Sequence, residues 1–94
     1  MERGTGGEVS AHGFLFPPET VFDEDRLLAV LGNRSEITRL KGVFRCEDGW
    51  IAVNRAGSTT TVKPSAYRRD SRVEAFTEVP DWDSFETEVR GCIR

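Results

Sequence analysis

The sequence predicts an α+β domain: a mainly antiparallel sheet of four to five strands with two helices on one face, ordered β-α-β-β-β-β-α. Three observations carry that prediction. Residues 38–46 alternate with period two, placing Leu40, Gly42, Phe44 and Cys46 on one side and Arg39, Lys41, Val43 and Arg45 on the other. Glu47-Asp48-Gly49 follows as a turn, and Trp50 begins a return strand, so 37–55 reads as a β-hairpin. Two segments with helical spacing bracket the strands, and a hairpin needs such cover because it is only marginally stable alone.

The elements follow in order. Residues 1–8, MERGTGGE, are Gly-rich and aperiodic and read as a disordered leader or a remnant of expression cloning. Residues 9–94 then make a single domain. Residues 10–16, SAHGFLF, end in three large apolar side chains before Pro17-Pro18 and read as a short strand buried on both faces. Asp23 is the expected N-cap of the first helix, with Phe22 and Leu27 spaced as a hydrophobic staple. Leu27, Val30 and Leu31 form its apolar stripe, and Gly32-Asn33 is expected to close it in the left-handed conformation. This strand-helix-strand unit suggests a crossover that sets the first and second strands parallel.

After the hairpin, Ala56-Gly57-Ser58 turns the chain into a β-branched run, 59–62, which Pro64 ends. Residues 65–71, SAYRRDS, form a polar, Arg-rich connection. A fifth strand over 72–79 turns Val73, Ala75, Thr77 and Val79 to one face. The second helix begins at Asp81 or Asp83, Asp83 having Glu86 three residues on as a capping-box partner. Trp82, Phe85 and Val89 share its apolar face with Cys92 or Ile93. Leu40, Phe44, Trp82, Phe85 and Val89 are therefore the expected core.

Composition excludes several classes of function. A net charge of −3 gives no general attraction to nucleic acid or an anionic membrane. No run approaches the ~20 apolar residues of a membrane span. Two cysteines, Cys46 and Cys92, suit buried free thiols in a cytoplasmic protein rather than a disulfide framework. The chain has neither a G-x-x-x-x-G-K-[ST] phosphate loop nor a G-x-G-x-x-G motif, so no nucleotide cofactor is expected in it. His12 is its only histidine. His12, Cys46 and Cys92 are the only metal candidates, and they lack the close spacing of a zinc set, so no metal site is expected. The paired carboxylates Glu24/Asp25, Glu47/Asp48 and Asp81/Asp83 sit at helix starts or a turn tip, where backbone bonding accounts for them. The chain is not expected to be an enzyme, and a catalytic reading would need Cys46, His12 and an acid in one open pocket.

The basic residues offer more. Arg39, Lys41 and Arg45 share a strand face, while Arg68, Arg69 and Arg72 cluster beside Tyr67. Arg and Tyr are common interface anchors, so Arg39, Lys41, Tyr67, Arg68, Arg69 and Arg72 are the candidate partner-binding residues. Single-stranded RNA binders also combine basic residues with aromatics, and Lys41-Gly42-Val43-Phe44 has a faint likeness to the RNA-recognition-motif strand. The aromatics here lie with the apolar face, which makes a nucleic-acid partner the weaker reading.

Arg39-Leu40-Lys41-Gly42, followed by Val43-Phe44 and a Gly-turned hairpin, resembles the C-terminal domain of the CobW-type GTPases, a metallochaperone family. There an R-x-K-G strand follows a short strand-and-helix unit, similar to Gly13-Phe14-Leu15-Phe16 and residues 22–31. The family's closing strand, acidic residue and amphipathic helix are similar to 72–93, with 67–72 as the loop into the fifth strand. The likeness spans roughly 9–94. The family's phosphate loop, switch regions, C-x-C-C metal motif and occasional His-rich stretch have no counterpart here. The resemblance thus implies a non-catalytic accessory domain that contacts its own GTPase domain or a metalloprotein client. GTP and a divalent metal would belong to the parent protein alone. The alternative is a stand-alone RNA-binding or regulatory domain.

Overall fold

A computed structural model describes residues 9–94, so the leader expected at 1–8 lies outside the described residues. The observed elements are β1 (Ser10–Phe16), α1 (Glu24–Asn33), β2 (Ile37–Cys46), β3 (Gly49–Ala56), β4 (Thr59–Pro64), β5 (Ser71–Thr77) and α2 (Trp82–Arg90). The five strands form one sheet ordered β1-β5-β2-β3-β4, and every neighbouring pair is antiparallel. This is the predicted α+β class and element order. Its topology differs in one respect: β1 and β2 run in the same direction, but β5 lies hydrogen-bonded between them.

Period two in β2 is realised as read. Leu40, Gly42, Phe44 and Cys46 are buried, while Arg39, Lys41 and Arg45 are exposed. Both helices cover the buried side. Leu27 and Leu31 from α1 and Phe85 and Val89 from α2 join Leu40, Phe44, Val53, Val73 and Ala75 in one core. Phe22, fully buried, stacks edge-on against both Phe16 and Phe44 at centroid distances of 5.1 and 5.4 Å. Trp82 is a correction to the expected core. It packs only partly against it, donating its indole N–H to Ser10 Oγ (3.1 Å) and stacking on His12.

Gly42 has a steric reason to be glycine. A Cβ there would lie 2.8 Å from the Phe44 ring and 2.9 Å from the Arg72 carbonyl oxygen. The R-x-K-G strand therefore combines two outward cations with two inward residues, of which the second must leave room for Phe44.

Two local expectations are corrected. β1 is an edge strand buried on one face only, and Leu15 is 58% exposed, because no described residue covers the outer side of the sheet there. Val79 is 68% exposed, since β5 ends at Thr77. Of the two starts read for α2, Asp81 is the N-cap, its side chain accepting from the Ser84 N–H, and Asp83 lies in the first turn. The N-cap of α1 is Asp23, as expected.

The C-terminus of α1 is closed differently from expectation. Neither Gly32 nor Asn33 has positive φ, and the cap residue Arg34 sits at φ −92°, ψ 85°. Arg55, only 4% exposed, reaches under the helix end from β3. Its Nη1 donates to the carbonyls of Leu31 (3.0 Å) and Arg34 (2.8 Å), and its Nε to that of Gly57 (2.9 Å). A buried cation there replaces the backbone cap and faces the negative end of the helix dipole.

Candidate functional site

Among the described residues the side of the sheet away from the helices is open, and register places its side chains in rows. One row crosses all five strands as Leu15, Arg72, Val43, Ala52 and Lys63. The next reads Gly13, Glu74, Lys41, Asn54 and Thr61, and a third contains Phe76 beside Arg39. The first two rows line a shallow trough of about 610 Å³. Arg39, Lys41 and Arg72, predicted from two separate stretches, thus share one surface because β5 lies beside β2. Leu15 and Lys63 belong to the same surface and were missed. The alternation of Thr61 and Lys63 about Val62 was the sequence signal for Lys63.

At one end of this face runs the 65–70 connection, which must cross β3 and β2 to bring the chain from edge strand β4 to β5. Trp50 shares the outward parity of Ala52 and lies outside the main core, yet it is only 9% exposed. The connection starts there, with the Ser65 N–H donating to the Trp50 carbonyl (2.9 Å).

Asp70 organises the connection. It accepts from the Tyr67 hydroxyl (2.9 Å) and from Arg72 Nε (2.8 Å) and Nη2 (3.0 Å), a bidentate pair. The Arg72 guanidinium also lies over the Tyr67 ring at 5.4 Å. The hydrogen bonds from Arg72 hold the Asp70 carboxyl below its ordinary range, and Asp70 in turn raises Arg72. Desolvation and the bond to Asp70 raise the Tyr67 phenol. Tyr67 and Arg72 are therefore already engaged. Arg68 and Arg69 are exposed and make no ion pair among the described residues.

The structure separates the metal candidates. His12 stacks on Trp82 at the start of α2, whereas Cys92 follows its end, roughly 15 Å along the helix axis. Cys46, at the far end of β2, forms a bridge with Phe22. Among the described residues, no three His, Cys, Asp or Glu side chains gather as a metal set. Burial, aided by nearby Glu24 and Glu47, pushes the Cys46 thiol up to about 12. Burial also raises Cys92, whose thiol donates to the Glu88 carbonyl at 3.4 Å. These environments keep both sulfurs protonated near neutral pH, opposite to what a ligand or nucleophile requires.

The carboxylates have local roles too. Glu47 accepts from the Glu24 N–H (3.4 Å) and from Arg94, joining the hairpin turn, the start of α1 and the C-terminal segment. No helix among the described residues is long and apolar enough to cross a membrane.

Comparison with known proteins agrees with this architecture. Residues 11–93 match the model of the cobalamin synthesis protein cobW C-terminal domain. The zinc chaperone YeiR of Escherichia coli (strain K12) is 30% identical over 89 residues, covering 88% of this chain. The chain spans 26% of that relative's length. No solved structure matches. The match extends from β1 past the end of α2, with the R-x-K-G strand at its centre, and the chain belongs to the CobW C-terminal domain family.

Proposed function

We propose that residues 9–94 are a single, non-catalytic accessory domain of a CobW-type metallochaperone, working as a docking surface for the GTPase domain of that protein or for a metalloprotein client. GTP hydrolysis and metal transfer belong to the remainder of the parent, with zinc as the cargo by likeness to the E. coli relative. A cytoplasmic setting follows for such a partner.

One observation carries the reading. A chain of net charge −3 gathers Arg39, Lys41, Lys63 and Arg72 on one open sheet face, with Arg68 and Arg69 in the adjoining connection. Unlike charges steer and orient protein encounters, so this face suits an acidic protein surface. Asp70 holds Tyr67 and Arg72 in place, which lowers the ordering cost of docking there.

The test is a titration of the chain against the parent GTPase domain, comparing wild type with Arg68→Ala/Arg69→Ala. The double variant is expected to bind about tenfold or more weakly while its circular dichroism is unchanged. Equal affinity would remove the connection from the interface.

A further inference from the structure

The open face has more character than a basic patch. Val43 and Ala52 are direct cross-strand partners at its centre, and the 58%-exposed Leu15 lies in the same row beyond Arg72. These apolar side chains floor the trough of about 610 Å³. Lys41 and Lys63 flank that floor diagonally, two strands and one row apart. Strand spacing and rise put them roughly 12 Å from each other, with Ala52 between. In an extended peptide, residues on either side of a central one and two positions away point the same way and lie about 13 Å apart.

We propose that the trough seats an extended acidic segment of a partner protein: an apolar side chain rests on Val43 and Ala52 while carboxylates two residues before and after it meet Lys41 and Lys63. This rests on the docking role above and specifies what the face recognises. Two observations favour such a segment over RNA. Glu74 stands opposite Lys41 in the trough and Asp70 beside Arg72, so a continuous polyanion would have to pass two carboxylates. The trough floor is aliphatic: Trp50 on this side is buried, and the half-buried Phe76 lies a row beyond the trough beside Arg39.

The probe is a synthetic peptide with a central leucine and glutamates two residues to either side, titrated into the isotope-labelled 94-residue chain. Amide shifts at Leu15, Lys41, Val43, Ala52 and Lys63 are expected. Lys41→Gln/Lys63→Gln, both exposed positions, should weaken binding about tenfold with dispersed spectra retained. Replacing the peptide's leucine by serine should weaken it by a similar factor. Equal binding of the serine peptide, shifts confined to another face, or tighter binding of a single-stranded RNA at these residues would each overturn the proposal. A parallel titration with the GTPase domain separates the two ideas. If that domain binds through Arg68 and Arg69 but Lys41→Gln/Lys63→Gln is without effect on either ligand, the trough assignment fails and the docking role survives. If the peptide behaves as expected but the GTPase domain and client do not bind, the docking role fails and the trough's specificity stands.

Discussion

Replacing Arg55 by Met tests the least obvious feature of the fold. Met has similar length and apolar bulk but no donors, so it leaves the Leu31 carbonyl at the end of α1 without a partner, while the Arg34 carbonyl keeps only the Ile37 N–H (3.1 Å). The Gly57 carbonyl lies at an exposed turn and can rebind water. The Leu31 carbonyl left unsatisfied costs about 1–3 kcal/mol and the lost charged hydrogen bond to the Arg34 carbonyl about 1.5–3 kcal/mol, together up to ~6 kcal/mol. Relief from burying a charge without an ion-pair partner among the described residues offsets part of that. The expected net loss is about 2–4 kcal/mol, or a melting-temperature drop of roughly 10–20 °C for a domain of this size. Urea denaturation with an unchanged m-value is the assay. Arg55→Lys, which retains the charge but not the fork, should fall between wild type and Arg55→Met. A loss below ~0.5 kcal/mol for Arg55→Met would show that the guanidinium is not the working cap of α1.

Other predictions concern the core, the connection and the thiols. Gly42→Ala should destabilise by ~1–3 kcal/mol, because the new methyl meets the Phe44 ring and the β5 backbone; a neutral result in denaturation would refute that close approach. Phe44→Ala and Phe85→Ala should each cost ~3–5 kcal/mol, and shifts below ~1 kcal/mol for both would contradict their shared core. The Asp70 carboxyl titrates below its unfolded counterpart, so its contribution is complete above the ordinary carboxylate range and fades as pH falls through the folded value. Protection factors of the 65–70 amides, corrected for the intrinsic pH dependence of exchange, should therefore fall on acidification, and in Asp70→Asn they should be low at neutral pH as well. Cys46, raised from 9.0 to about 12, should react with iodoacetamide at pH 8 on the order of a thousandfold more slowly folded than unfolded. Its raised value also favours the folded state below pH ~9, and that contribution is lost as pH rises toward ~12.

What could be read from the sequence was local. The period of β2, the Asp23 cap and the Gly-bearing hairpin turn all depend on neighbours a few residues apart, and each stands where it was read. What escaped depends on pairings distant in the chain. That β5 enters between β1 and β2 determines why Leu15 faces outward and why Arg72 joins Lys41, yet no short-range pattern encodes it. Arg55 was indistinguishable from a solvated strand cation until α1 was placed above it. Trp50, the first residue of the return strand, has outward parity yet is buried. The candidate surface was half legible for the same reason: its two basic stretches were visible, but Leu15, Lys63 and the clasp of Asp70 required the sheet order.

The most direct test of the docking account is chemical-shift mapping of the labelled chain on addition of the parent GTPase domain or client. The account predicts perturbations concentrated on the open sheet face at 39–43 and 67–72, weakening steeply with added salt as unlike charges are screened. Perturbations confined to the outer surfaces of α1 and α2, with the open face silent, would contradict it.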